Sequence, residues 1–120
     1  MNQNRKILGD VGEQIVGKYL ENKGFQILAY QFTTRLGEVD LIATKDEYVV
    51  FVEVKTRRTI YFPVSTVVTY SKQQKIVKSA KYFALKNQIV DKVLRFDVAI
   101  VNPTGDDYVV DYIENAFYGA

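Results

Sequence analysis

Apolar positions follow two rhythms along this 120-residue chain. Over residues 4–23, Ile7, Leu8, Val11, Ile15, Tyr19 and Leu20 return at helical spacing, which predicts a first helix ending at Gly24. Gly9, Gly12 and Gly17 lie inside it. Each costs about 1 kcal/mol relative to Ala, a cost that suits a helix pressed against another backbone or a ligand. Glu13 falls at the border of the apolar arc, near Gly9 and Leu20. A period of two then takes over. It predicts strands over residues 25–33, 38–44 and 48–55, with Leu36-Gly37 as a turn and Lys45-Asp46-Glu47 as a hairpin. Residues 56–69 form a long connection containing Pro63.

Helical spacing returns over residues 72–87, where Ile76, Ala80, Phe83 and Ala84 make an apolar stripe and Ser71 with Gln74 forms a capping box. Further strands are predicted at 94–101 and 108–113, joined by a turn at Asn102-Pro103-Thr104-Gly105. There are no internal repeats and no linker. The order of elements predicts one α/β domain over residues 1–120, a mixed five-stranded sheet with flanking helices. The second helix is its crossover.

Alternation fixes which side chains share a face. Val50, Val52 and Val54 oppose Phe51, Glu53 and Lys55, and Val39, Leu41 and Ala43 oppose Glu38, Asp40 and Ile42. A hairpin centred between Asp46 and Glu47 pairs residues whose numbers sum to 93. The apolar face then matches Val39 with Val54, Leu41 with Val52 and Ala43 with Val50. The other face opposes Asp40 to Glu53 and Glu38 to Lys55. Two carboxylates opposed on a sheet destabilise it. Either a Mg²⁺ ion between them relieves the repulsion, or the residues are a surface cluster in which Glu38 and Lys55 form an exposed ion pair. Mg²⁺ takes one or two carboxylates together with waters and phosphate oxygens. Lys55 is placed to orient a nucleophilic water or to neutralise charge growing on a phosphorane.

Composition narrows the chemistry. The chain has no Cys and no His, which excludes disulfides, thiolate zinc sites, imidazole ligands and a Ser-His-Asp triad. Catalysis must run on carboxylates, lysine, hydroxyls, amides and hard metal ions. No apolar run approaches the ~20 residues that cross a bilayer, and the polar Met1–Lys6 stretch lacks a secretory h-region, so the expected location is cytoplasmic. The net charge of +2 is unevenly spread: residues 55–90 carry eight Lys and Arg and no acid, and the remainder has 8 basic against 14 acidic residues. Such a block is either a polyanion-binding face or a lysine-rich solvent face. Arg57 and Arg58 follow the third strand and are candidates for phosphate contact. Lys72, Gln73 and Lys75 open the second helix, where the dipole favours phosphate, though simple solvation explains them equally. Asp97 reads as a structural partner of Arg95, and Tyr61 and Phe62 either stack on bases or pack inward.

Gly37-Glu38-Val39-Asp40-Leu41-Ile42 and Phe51-Val52-Glu53-Val54-Lys55-Thr56-Arg57 resemble the YraN-type family of uncharacterised bacterial proteins. That family is a branch of the PD-(D/E)XK, restriction endonuclease-like, nuclease superfamily and is similar to archaeal Holliday junction resolvases. The resemblance extends to Gly9-x-x-Gly12-Glu13, the Lys72 region, Arg95-Phe96-Asp97-Val98 and Asn115-Ala116-Phe117. It implies an αβββαβ core, Asp40 and Glu53 as ligands of Mg²⁺ or Mn²⁺, Lys55 as the catalytic lysine and Glu13 as an additional acidic residue. Val39 stands where the superfamily has Pro. Tyr30-Gln31-Phe32 stands where relatives carry Asn-aromatic-Arg, so no role carries over there.

These readings give an expected function of metal-dependent phosphodiester hydrolysis on DNA, branched or damaged DNA included. The expected partner is nucleic acid, DNA in the first place, and not membrane, with a homodimer as the candidate assembly. A non-catalytic nucleic-acid-binding module and an interaction subunit of a DNA repair or uptake machine are the alternatives.

Overall fold

The computed structural model describes residues 2–57 and 68–119, with the backbone alone for residues 2–10. Arg58, Tyr61, Phe62 and Pro63 lie outside the described residues. Helix α1 spans Asn2–Asn22 and is followed by strands β1 (Gln26–Thr33), β2 (Glu38–Lys45) and β3 (Tyr48–Thr56). Helix α2 spans Tyr70–Lys86 and leads into β4 (Val93–Thr104) and β5 (Asp107–Phe117). The sheet runs β1-β2-β3-β4-β5; among the described residues only β3 and β4 are parallel, and α2 lies on the crossover between them. This is the mixed five-stranded α/β architecture that the pattern predicts.

Each face of the sheet builds its own core. Val16 and Leu20 of α1 pack on Leu41, Ala43, Val50, Val52, Ala99 and Val101. On the other face Ile76, Val77, Ala80 and Phe83 of α2 pack on Ile42, Phe51, Phe96 and Val98. The predicted stripe of α2 is therefore the buried one, whereas on α1 the deepest contact is Val16 and Val11 is exposed. Gly24 ends α1 at φ 93°, and Phe25 N–H reaches back to the Leu20 carbonyl at 3.0 Å, a Schellman-type close that only glycine makes without strain.

Two local expectations are corrected. The N-cap of α2 is Thr69, whose hydroxyl accepts from Lys72 N–H, so Ser71 lies inside the first turn instead of capping it. Asn102 and Pro103 continue β4, and the turn lies at Gly105-Asp106, with Thr104 paired to Asp107. The β3 partner ends at the Thr56–Val101 pair, so Pro103 sits where β4 has a neighbour on one side only and no ladder bond is lost.

Candidate active site

The β2–β3 ladder carries the predicted register from Lys45–Tyr48 to Leu41–Val52. Beyond it the strands part. Asp40 turns its side chain into the gap, and its Oδ2 accepts Val54 N–H at 2.8 Å. Val39 leaves the face of Leu41 and Ala43 and joins the core under α2, which corrects the predicted Val39–Val54 match. A matching irregularity lies next door in β1. Gln31 has φ 51°, a conformation non-glycine residues seldom adopt, so Tyr30 and Phe32 reach opposite faces. The Tyr30 hydroxyl lies against Gly17 of α1, and the Phe32 ring meets Phe83 of α2 at 5.1 Å. β2 follows the same reversal at Asp40.

The parting of the strands brings the two carboxylates together under protein cover. Glu53 is 1% exposed, and neither of its oxygens receives a well-directed hydrogen bond among the described residues. Burial raises the pKa of Asp40, and the hydrogen bond and charge of Glu53 add to the rise, to about 8. Burial also works against Glu53 ionisation, but the Asp40 carboxyl and the ammonium groups of Lys72 and Lys55 outweigh it and hold Glu53 below the ordinary carboxylate range. The two shifts run in opposite directions: Asp40 is pushed towards its protonated form and Glu53 towards its ionised form.

Lys55, from the same strand as Glu53, brings Nζ to 3.6 Å from Glu53 Oε2. Lys72 comes closer, at 2.8 Å. Its position at the helix start suits either phosphate or solvent; in the structure its partner is the buried carboxylate. Glu13 is buried at the edge of this cluster, contributes to the rise at Asp40, and lies 3.5 Å from the Gln31 side-chain amide. Gln31 is the member that sequence reasoning missed. Glutamine has no preference for a left-handed backbone, so nothing in its identity marks it. Gly12 explains how α1 approaches: a Cβ there would stand 2.8 Å from Thr56 Oγ1, beside Lys55.

The remaining candidates scatter. The Gln73 side-chain amide donates to the Val68 carbonyl at 3.0 Å, tying down the start of α2. Arg57 is exposed, and its guanidinium donates to the Thr56 carbonyl. Lys75 lines a cleft of about 390 Å³ with Gly37, Glu38, Thr69 and Lys72, beside the carboxylate pair. Asp97 is structural, as its pattern suggested. It is fully buried and accepts from Arg95, the Tyr112 hydroxyl and Asn115 N–H.

Mg²⁺ or Mn²⁺ is compatible with this donor set. Glu53 offers buried carboxylate oxygens, and Asp40 adds a second hard oxygen donor. Among the described residues no group of three or more acidic side chains converges, and Mg²⁺ is commonly held by one or two carboxylates plus water and phosphate. Among the described residues no helix is long and apolar enough to cross a membrane.

Comparison with known proteins sets the chain among relatives. It is 44% identical over 117 residues to a UPF0102 protein of Alkaliphilus oremlandii, covering 95% of this chain and 99% of that one. A UPF0102 protein of Alkaliphilus metalliredigens is 41% identical over 113 residues, covering 93% of this chain and 98% of its own length. One from Clostridium botulinum strain Loch Maree is 41% identical over 121 aligned positions, covering 98% of both chains. The family profile spans residues 12–101, which takes in Glu13, Asp40, Glu53, Lys55 and Lys72. The chain belongs to the uncharacterised protein family UPF0102, the YraN-type family that its motifs resemble.

Proposed function

We propose that this protein is a metal-dependent phosphodiesterase acting on DNA, with Asp40 and Glu53 holding Mg²⁺ or Mn²⁺. The observation that carries the reading is the fully buried Glu53 beside a second carboxylate, with the Lys72 and Lys55 ammonium groups at 2.8 and 3.6 Å as its counter-charges. A buried charge so arranged is costly unless something further compensates it. When bound, the ion acts as a Lewis acid towards water and a phosphoryl oxygen.

The chain's own groups supply the rest. Asp40, whose protonated form burial and Glu53 favour, would have to release its proton to hold a cation, which would couple loading to proton release. Lys55 stands beyond Glu53 on the same strand, where it orients the attacking water or neutralises charge growing on the phosphate. Lys72 gives up part of its hold on Glu53 and becomes a second cation for the substrate phosphate. Glu13 keeps the Asp40 environment negative and thereby favours a cation over the bare pair. No histidine is required.

The Lys72–Glu53 ion pair also favours a second reading, a nucleic-acid-binding module without catalysis, because it compensates the carboxylate with no cation at all. Cleavage of linear, flapped and four-way DNA with and without Mn²⁺ separates the two. The hydrolase cuts at least one substrate only with the ion and loses the activity in Asp40→Asn and Glu53→Gln. Retained DNA binding with no heat of Mn²⁺ binding in titration calorimetry would establish the module.

A further inference from the structure

Lys72, Lys75, Ser79, Tyr82 and Lys86 recur at steps of three and four residues, so they form one face of α2. That face does not cover the core. It runs along the β1–β2 connection, to which it is stitched at two points. The Thr34 and Ser79 hydroxyls lie 3.0 Å apart, and a Cβ at Gly37 would come within 2.9 Å of the Lys75 Cβ.

The stitching leaves a cleft on either side. The one beside the carboxylates contains Lys72 and Lys75. The other, about 560 Å³, is bounded by Phe32, Arg35, Leu36, Tyr82 and Lys86. Its chemistry differs from the first. The Tyr82 ring is 47% exposed and lies near parallel to Phe32 with ring centres 6.3 Å apart. Arg35 and Lys86 flank it, both exposed, and among the described residues neither engages a carboxylate. From Lys72 to Lys86 the helix covers roughly 21 Å, the length of about six stacked nucleotides at ~3.4 Å each.

We propose that this seam binds an unpaired nucleic-acid strand leading away from the carboxylate pair. Its phosphates lie on Lys72, Lys75, Arg35 and Lys86, and a base stacks on Tyr82 in the outer cleft. The inference deepens the phosphodiesterase reading, on which it rests, by naming a substrate with a single-stranded arm. Cations alone would serve a duplex equally well, since they contact phosphate whatever the strand's partner. The aromatic side chain decides the matter: the Tyr82 ring beside Phe32 meets a base face only when that base has left the helical stack.

The test needs no cleavage. Binding of a labelled oligothymidylate of about 12 nucleotides, within the usual range of single-strand site sizes, is compared with that of a duplex of equal length on the metal-free protein. Tyr82→Ala should weaken the single strand on the order of tenfold or more, the usual effect of losing one stacking ring, and change the duplex less than about twofold. Tyr82→Phe should bind as wild type, which guards against a folding artefact. Lys86→Ala should reduce the salt slope for the single strand by about 0.7. Equal losses for both ligands in Tyr82→Ala, or no loss for either, overturn the proposal, as does a wild type that binds no oligothymidylate at low salt. Tyr82-dependent binding without any Mn²⁺-dependent cutting leaves the track standing and removes the hydrolase instead.

Discussion

The Lys72 ammonium lies closer to the buried Glu53 carboxylate than the Lys55 ammonium does, 2.8 Å against 3.6 Å. In the metal-free protein Lys72 is therefore the principal counter-charge of Glu53, although it comes from another element. Lys72→Met should lower the melting temperature of the metal-free protein, because removing one partner leaves a buried charge undercompensated. With half the lysine exposed to solvent, the loss should be about 1–2 kcal/mol, below the 3–5 typical of fully buried pairs. Saturating Mn²⁺ should restore more stability to the variant than it adds to wild type. Thermal melts with and without the ion check this, and equal Mn²⁺ shifts in both proteins would contradict the shared occupancy of Glu53.

The raised pKa of Asp40 gives the metal-free protein a signed pH dependence. The unfolded carboxyl titrates near 3.9, whereas burial and Glu53 push the folded one up to about 8. Between those values the folded chain holds a proton that the unfolded chain has lost, so stability should fall as pH rises from about 4 to about 8. The lowered pKa of Glu53 acts only below its ordinary value, outside that window. Asp40→Asn keeps an oxygen for Val54 N–H and removes the titration. It should flatten the slope and be no less stable than wild type at neutral pH. Urea denaturation at several pH values measures both.

Lys55→Ala should retain Mn²⁺ binding and DNA binding and lose cleavage by on the order of 10²–10³. The residue is half-buried, adjacent to Glu53 and unable to ligate a cation. Lys55→Arg should not recover the rate, because a planar fork cannot reproduce a compact charge on a rigid strand. Single-turnover cleavage beside calorimetric metal titration checks the split. An alanine variant that cuts as fast as wild type would falsify the assignment.

Salt should weaken DNA binding steeply, since each phosphate contact contributes roughly −0.9 to the log–log slope. Replacing Lys72 and Lys75 together should flatten the slope by about 2. A slope that does not move assigns both to solvent and, for Lys72, to Glu53 alone.

Asp97 supplies a control away from the site. It is fully buried and compensates Arg95, which is 13% exposed, while also accepting from Tyr112 and Asn115. Asp97→Asn should destabilise by about 3–5 kcal/mol, the cost of breaking a buried pair, with Mn²⁺ affinity unchanged when measured well below the melting temperature. Denaturant melts and titration calorimetry read the two quantities separately.

Much of this arrangement was legible from alternation and charge. Register followed from Leu41, Ala43, Val50 and Val52, whose burial leaves no choice of face, and the crossover helix followed from its four-residue apolar stripe. The carboxylate pair was legible as opposition across a hairpin. Its true form was not: Asp40 meets Glu53 where the ladder opens, beside the left-handed backbone of Gln31 in a different strand. Such a local departure from regular strand geometry leaves no periodic trace. Lys72 shows the same limit. Its place at a helix start suggested an anion, and the anion proved to be a side chain of the protein itself.

The strand order β1-β2-β3-β4-β5 repeats the order in which the chain emerges. Asp40, Glu53 and Lys55 lie within one hairpin, so the contacts between them span short stretches of chain. Lys72 reaches Glu53 from the crossover helix. The buried pair and its main counter-charge are therefore joined by contacts of very different sequence separation, and any local opening that lifts the start of α2 leaves Glu53 undercompensated while the hairpin stays intact.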